Sequence, residues 1–296
     1  MPMLDLGDAT RRHMREAMGT GLKIAVVPLG ATEQHGEALP FRTDTLIAEQ
    51  VAADLAGRLG ALLVPAVPYG VSLEHTSIPG TITLSAATFT SVVREICESL
   101  ISGGIDQIIL LVAHFGNAAP AQIAAEEVVS NTGAIVCVSS YFAGMEDAAI
   151  EVLGVDRDLL DWTYFNSHGG AAEAAMVMAR GAELVHVDWA QSASPERSNL
   201  FYDEAMKYPH AVEEATPTGQ WGDPRRISPA IDLAVDGELG GRLIEACGQR
   251  LAGKFRLLVE EIGRSRSEAP LPRSEIRAPL AGAHLPRRVP TRDQEP

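Results

Sequence analysis

The sequence lacks any apolar run of about 18 residues, the shortest that a helix needs to cross a membrane. It also lacks a basic amino-terminal segment that leads into an apolar one, which is the pattern of an export signal. We therefore expect a soluble, cytoplasmic protein.

Cysteine is scarce. Cys97, Cys137 and Cys247 are the only three, they lie far apart, and they form no Cys-x-x-Cys spacing. An odd number at such spacing supports neither a disulfide framework nor a thiolate zinc site. We expect these side chains to serve packing.

Positive charge is also in short supply. The chain has 24 Lys and Arg against 39 Asp and Glu, a net charge of −15. Nucleic acids and anionic membranes bind basic surfaces, so we expect neither as a partner. Acidic chains attract divalent cations instead, which is compatible with a metalloenzyme but does not establish one.

The apolar residues, 46% of the 296, suffice for one main domain. Apolar runs alternate with amphipathic segments, and this order predicts right-handed crossovers and a parallel sheet covered by helices on both sides. The expected fold class is α/β, a three-layer α/β/α sandwich with a mainly parallel central sheet. Strands are predicted at 23–29, 62–67, 107–113 and 134–139, and helices at 44–58, 85–101, 117–129, 171–179 and 238–262.

Three segments fall outside this pattern. Residues 141–168 are predicted to be an insertion with one short helix, of the kind that forms lids or binding loops. Residues 190–230 are predicted to be mostly loop. The domain is expected to span 1–263, and 264–296, with six prolines in 33 residues, to form a flexible tail.

A carboxylate, an imidazole and a second carboxylate follow the first predicted strand. They are Glu33, His35 and Asp44. The carboxyl end of a parallel strand is where an open α/β sheet presents polar groups to a ligand, and this set suits a divalent ion such as Zn, Mn or Fe. The alternative is a surface carboxylate, a turn histidine and a helix cap at Asp44 or Thr45.

Two further motifs have the same form. The apolar run 108–113 leads into His114, and the segment 167–173 opens an Ala-rich and Met-rich helix with His168 and Glu173. Each delivers an imidazole or a carboxylate at the start of a helix, so a shared site becomes the better interpretation.

Together these motifs resemble those of the creatininase family, a group of metal-dependent amidohydrolases. The resemblance extends over about residues 20–262. Its elements are Thr-Glu-Gln-His-Gly at 32–36, Leu-Pro at 39–40, Thr-Asp-Thr at 43–45, Tyr-Gly at 69–70, Glu-His at 74–75, Pro-Gly-Thr at 79–81 and Trp-Gly-Asp-Pro at 221–224.

The resemblance implies two divalent metal ions, Zn or Mn, with Fe as a further candidate. It implies that Asp44 bridges them, that Glu33 and His114 bind one, and that His35 binds the other. With Glu173 as a fifth ligand, three carboxylates offset two dications when one hydroxide is shared. Such a pair of ions acidifies its shared water.

The fifth ligand is where this chain departs from creatininase itself. Creatininase has a Glu two residues after the histidine that matches His114, and here that position is Gly116. Many other family members also lack this Glu, and the role is therefore assigned to Glu173. The alternative for Glu173 is an ordinary carboxylate at a helix amino terminus.

The resemblance also implies roles at the substrate. His168 matches a histidine implicated in proton transfer to the leaving nitrogen, and its alternative is a loop histidine bonded to backbone. Ser72, His75 and Phe115 are expected to face the substrate, and Tyr164 stands where creatininase has a lid residue. The next position of the lid, an Asp in creatininase, is Phe165 here, and this argues against creatinine as the substrate.

The leading hypothesis is a metal-dependent amidohydrolase that uses a metal-bound hydroxide to open a non-peptide C–N bond in a small nitrogenous compound. Cyclic amides, lactams and formamides are the candidate substrates. One alternative is a peptidase that trims a precursor peptide during maturation of a redox cofactor, and another is a non-catalytic metal-binding protein. The family resemblance and the commonness of symmetric assemblies predict a homo-oligomer, with a hexamer as one form.

Overall fold

A parallel sheet of five strands forms the middle of the molecule. The computed structural model describes residues 2–142, 145–191, 216 and 218–268. In chain order the central strands are Leu4–Asp5 (β1), Ile24–Leu29 (β2), Leu62–Leu63 (β3), Gln107–Val112 (β4) and Ile135–Ser140 (β5). They pair in the order β1-β3-β2-β4-β5, and every pairing is parallel.

The helices and a small hairpin surround this sheet. The helices are Arg11–Gly19 (α1), Thr43–Leu59 (α2), Ala86–Ser102 (α3), Ala118–Thr132 (α4), Met145–Leu153 (α5), Trp162–Phe165 (α6), Ala171–Arg180 (α7) and Gly237–Glu268 (α8). Arg226–Ser228 (β6) and Ile231–Asp232 (β7) form the antiparallel hairpin.

Two apolar cores lie on opposite faces of the sheet. Along β4, Ile109 and Leu111 join the core beneath α2, α5, α7 and α8, whereas Ile108 and Leu110 join the core beneath α1, α3 and α4. Strands buried on both faces read as continuous apolar runs, which is why β2 and β4 stand out in the sequence. The predicted three-layer α/β/α fold is confirmed.

Most helix boundaries follow the prediction, and one capping assignment was wrong. Ser85 caps α3 and accepts a hydrogen bond from the Thr88 amide. Helix α2, however, begins after Arg42 without a side-chain cap, so Asp44 lies inside its first turn. The Thr45 hydroxyl is engaged elsewhere, donating to the Ala31 carbonyl at 2.9 Å.

Proline explains why the second predicted strand is shorter than expected. Only Leu62 and Leu63 pair in the ladder, and Pro65 follows without an amide hydrogen to donate. Val67 returns to the sheet as an isolated bridge to Leu29. The segment therefore stays beside β2, and it leads into the loop that carries Ser72 and His75.

Several predicted boundaries change. Residues 145–168 contain α5, α6 and a 3₁₀ turn at Arg157–Leu159 in place of one short helix. The amino-terminal pair β1 and α1 was not predicted, and α1 buries none of its residues. Helix α8 continues through Glu268, five residues into the predicted tail, and residues 269–296 and 192–215 lie outside the described residues. Among the described residues, no helix has the length and apolarity to cross a membrane.

Helices α7 and α8 approach each other at backbone distance. A Cβ atom at Gly240 would lie 1.9 Å from the Ala175 carbonyl oxygen, and the neighbouring atoms also belong to backbone. A Cβ atom at Gly241 would meet no atom of the described residues within 4 Å. The lack of a side chain at Gly240 therefore allows α7, which carries Glu173, to pack against α8.

We expect Gly240→Ala to lower the free energy of unfolding by about 1 to 3 kcal/mol, because the added methyl group meets backbone that cannot rotate away. Gly241→Ala is the matched control, and we expect it to raise stability by about 0.5 to 1 kcal/mol, since alanine is the better helix former. Urea unfolding of the two variants measures both effects. Equal stability of the two variants would contradict the close packing.

Candidate metal centre

The predicted ligands meet at the carboxyl edge of the central sheet. Glu33 and His35 follow β2, and His114 follows β4, which pairs directly with β2. Asp44 lies in the first turn of α2 and Glu173 in the first turn of α7. Parallel strands end at the same edge, so residues far apart in the sequence become neighbours here.

The five side chains form two groups that share Asp44. In one group, His114 Nδ1 lies 3.2 Å from Glu33 Oε1 and 3.8 Å from Asp44 Oδ2. In the other, His35 Nε2 lies 3.5 Å from Asp44 Oδ1 and 3.8 Å from Glu173 Oε2. Within each group the ligand atoms lie within 4.8 Å of one another, a spacing that one metal ion can span.

Burial leaves this cluster short of partners. All five side chains are buried, and Glu33 Oε2, His35 Nε2 and Asp44 Oδ2 have no hydrogen-bond partner among the described residues. Isolated buried charges are costly, and buried polar atoms are nearly always paired. Carboxylate oxygens and imidazole nitrogens are ligands for Zn and Mn, so the donor set fits bound cations.

Backbone carbonyls orient the two imidazoles of the cluster. His35 Nδ1 lies 3.2 Å from the Glu33 carbonyl oxygen, and His114 Nε2 lies 2.7 Å from the Val71 carbonyl oxygen. A carbonyl only accepts, so each of these nitrogens carries the proton and the other ring nitrogen faces the cluster. This is the arrangement that presents a neutral histidine to a metal.

The electrostatics show how strongly the carboxylates attract positive charge. Burial opposes ionisation of His35, but Asp44, Glu173 and Glu33 outweigh it and raise its pKa to about 10. Burial likewise opposes ionisation of His114, and Glu33 and Asp44 raise its pKa to about 10. Burial raises the pKa of Glu173 to about 7 despite the opposing effect of His35. A cation that enters must displace protons from this cluster.

His168 and His75 lie on the other side of Glu33. Their ring nitrogens, His168 Nδ1 and His75 Nε2, are 3.7 Å and 3.6 Å from Glu33 Oε1. Burial, together with the positive charges of His35 and His75, holds the pKa of His168 well below its usual range. His168 also forms a third possible ligand group with Glu33 and His35.

Two of the four residues predicted to bind substrate, Ser72 and His75, lie beside the cluster. Ser72 is buried with its hydroxyl 3.4 Å from His114 Nε2, so Ser72 and His75 both border the cluster. Phe115, beside His114, is 66% exposed. Tyr164 is buried, its amide donates to the Asp161 carboxylate, and its carbonyl accepts from the Ser167 hydroxyl. The substrate roles of all four stay predictions.

Comparisons with known proteins identify the family of this chain. A family model described as creatinine amidohydrolase matches residues 8–254. The chain belongs to the creatininase family.

Relatives within the family differ in what they act on. The chain is 28% identical over 262 residues to the creatinine amidohydrolase of Pseudomonas putida, covering 85% of this chain and 95% of that protein. It is 37% identical over 239 residues to the mycofactocin precursor peptide peptidase of Mycobacterium ulcerans, covering 77% and 84%. The protein is therefore a creatininase-family hydrolase that need not be a creatininase.

Solved creatininase structures share the fold. The structure named Creatininase Mn superposes with a TM-score of 0.72 at 23% identity, covering 86% of this chain and 98% of that one. A mutant creatininase of the Zn-Zn type superposes with a TM-score of 0.71 at 22% identity, with the same coverage.

Gly116 shows why this family member has no carboxylate after His114. A Cβ atom at Gly116 would lie 2.0 Å from the Val71 carbonyl oxygen, the same atom that orients His114, and 2.6 Å from His114 Nε2. A side chain here would displace that carbonyl. Glu173 lies in a ligand group on the other side of Asp44, where such a side chain can be accommodated.

Asn117 was not predicted as a site residue, although it closes the His114 motif. It is buried, its Nδ2 donates to the Gly30 carbonyl, and its Oδ1 accepts from the Val71 amide. One amide thus connects the loops after β2, β3 and β4. The sequence placed Asn117 at the start of a predicted helix, and only the fold shows its three-loop contacts.

We expect Asp44→Asn to abolish the stabilisation that Zn²⁺ or Mn²⁺ gives the wild-type chain, because both ligand groups use Asp44. A cation at about a hundred times its dissociation constant stabilises a protein by about 2.7 kcal/mol. Elemental analysis and thermal unfolding with and without metal measure content and stabilisation. Glu49→Gln, exposed on the same helix, is the control and should respond to metal as the wild type does. Metal-dependent stabilisation of Asp44→Asn equal to that of Glu49→Gln would contradict a shared ligand.

Proposed function

We propose that this chain is a metal-dependent amidohydrolase that opens a non-peptide C–N bond in a small nitrogenous compound. The observation that supports this most is the pair of buried ligand groups sharing Asp44, with His168 at their margin. Two dications, Zn or Mn with Fe as a further candidate, are proposed to bind there. When bound, they would acidify a water and polarise a carbonyl, so that attack on an amide proceeds at neutral pH.

The residues of the chain supply orientation and proton transfer. Glu33, Asp44 and His114 are proposed to hold one cation, and His35, Asp44 and Glu173 the other. His168 is proposed to deliver a proton from Nδ1 to the leaving nitrogen, since an amine anion leaves poorly without one. Its side chain is 13% exposed and stands beside Glu33 Oε1, within reach of both the cluster and an entering substrate.

A peptide substrate is the second candidate. It is favoured by the 37% identity to a precursor peptide peptidase, against 28% to creatinine amidohydrolase. Leu73 and Phe115, next in sequence to Ser72 and His114, are 60% and 66% exposed and give the site an apolar border suited to peptide side chains. Both candidates use the same attack on an amide carbonyl.

We also propose a homo-oligomer. Helix α8 exposes Leu257 and Leu258 near its carboxyl end, and symmetric assemblies commonly cover such side chains. A hexamer is one form to test, and the cytoplasm is the proposed location.

We expect purified protein to lose amide hydrolysis when metals are removed with a chelator and to regain it with Zn²⁺ or Mn²⁺. The panel should contain lactams, cyclic amides, formamides and short peptides, with product amines measured. Turnover confined to the small amides supports the first candidate, and turnover confined to peptides supports the second. Indifference of every reaction to chelation and repletion would rule out both.

The roles of Glu173 and His168 can be separated by measuring metal and turnover on the same samples. Glu173→Gln should lose about one ion per chain and lose activity, because it removes a ligand. His168→Asn should keep its metal yet lose about 10²- to 10⁴-fold in kcat, because it removes a proton donor.

His186→Asn is the matched control, since His186 is exposed outside the cluster and stacks on Trp189. It should retain both metal and activity. Full metal content in Glu173→Gln would remove Glu173 from the ligand set, and unchanged amide turnover in His168→Asn would end its proposed role.

A further inference from the structure

Gln34 lies between two predicted ligands and is itself buried. Its side-chain Oε1 accepts from the Gly36 amide at 2.9 Å, and its Nε2 donates to the Gly219 carbonyl at 2.8 Å. A backbone amide can only donate and a carbonyl can only accept. These two contacts therefore fix which end of the Gln34 amide is nitrogen, independently of any histidine.

The orientation of Gln34 determines the proton position on His75. Gln34 Nε2 lies 2.8 Å from His75 Nδ1. Because the amide nitrogen is a donor, Nδ1 must accept, and the neutral ring carries its proton on Nε2. That nitrogen is the one that lies 3.6 Å from Glu33 Oε1. His75 thus presents an N–H to the cluster.

The backbone of the same residue determines the proton position on His168. His168 Nε2 lies 2.6 Å from the Gln34 carbonyl oxygen and must donate to it. The neutral ring then has a lone pair on Nδ1, 3.7 Å from Glu33 Oε1. The 3.1 Å approach of Gln34 Nε2 to His168 Nε2 joins two donors and is not a hydrogen bond, since both amide hydrogens of Gln34 are already used.

The two rings stack, with centroids 4.4 Å apart and planes 16° apart. They carry the same tautomer but face the cluster with different nitrogens. We propose that Gln34 is a positioning residue that makes His75 a hydrogen-bond donor and His168 a proton acceptor at the same side of Glu33. On the proposed function, the His75 N–H donates a hydrogen bond to the carbonyl oxygen of a substrate amide. His168 Nδ1 accepts a proton and passes it to the amide nitrogen.

Nitrogen-15 NMR of histidine-labelled, Zn²⁺-loaded protein tests this directly, because ring nitrogen shifts report which nitrogen carries the proton. At mildly alkaline pH, we expect both His75 and His168 to be protonated on Nε2 in the wild type. Signals are assigned from variants that lack each ring. In Gln34→Glu the carboxylate can only accept, so the His75 proton should move to Nδ1. His168 should not change, since its partner is the backbone carbonyl of residue 34.

Gln50→Glu is the matched control. Gln50 also uses its amide nitrogen to donate to two carbonyls, those of Leu46 and Met176, and among the described residues it forms no hydrogen bond to a histidine. Its substitution should leave both tautomers unchanged. If Gln34→Glu fails to fold, Gln34→Met removes the donor at similar length and should let His75 populate both tautomers.

A wild-type His75 that carries its proton on Nδ1, or a folded Gln34→Glu protein in which it stays on Nε2, would overturn the proposal. For any amide that the wild type hydrolyses, Gln34→Glu should lower kcat about 10- to 100-fold, as changes to residues that orient a ligand do, while Gln50→Glu leaves it about unchanged. A wild type that hydrolyses no amide would refute the proposed function, whereas the tautomers would still be read from the NMR spectra.

Discussion

The structure depends on three carboxylates, Glu33, Asp44 and Glu173, that are buried together with too few hydrogen-bond donors. Burial of like charges at this proximity is costly unless positive charge is held among them. His35 and His114 provide some of it, and carboxylates accordingly raise the pKa of each to about 10 over the opposing effect of burial. On the proposed function, two dications would displace the protons of His35 and His114 and, with one shared hydroxide, balance the three carboxylates. The solved creatininase structures of the Mn and Zn-Zn types share this fold.

The scaffold keeps this cluster in place with main-chain atoms. Carbonyls of Glu33, Val71 and Gln34 each take one nitrogen of an imidazole, so the other nitrogen of His35, His114 and His168 faces inward. Main-chain atoms at the ends of a buried parallel sheet move little, and they hold a ring without adding charge. Asn117 joins the three loops that supply these carbonyls or the residues beside them.

The sequence predicted the sheet, its main helices and the convergence of five ionisable residues because each has a local signal. Buried strands read as apolar runs, and Glu33, His35 and His114 follow such runs directly. The roles of Gln34 and Asn117 were not predicted because neutral amide side chains have no such signal in a sequence. Both residues act through contacts with residues 41 to 185 positions away along the chain. Helix α1 was not predicted because none of its residues is fully buried, although Met14 and Ala17 are partly buried against the core. Pro65 shortened a strand whose apolar pattern continued to residue 67.

On the proposed ligand set, Gly116 and Glu173 together explain how one fold can keep its chemistry while changing a ligand. The Val71 carbonyl oxygen occupies the position that a side chain at residue 116 would need, and this carbonyl orients His114. A carboxylate after His114 and this particular carbonyl contact therefore exclude each other. Glu173, the proposed replacement ligand, lies on α7, a helix packed at backbone distance on α8 through Gly240. Because its Oε2 also accepts from the Gly169 amide at 2.8 Å, the orientation of Glu173 is coupled to the loop that carries His168. On the proposed ligand set, Glu173 would couple the cation site to the segment that carries His168. Changes in that segment would then alter which substrate is hydrolysed, while Asp44 and its neighbours stay the same.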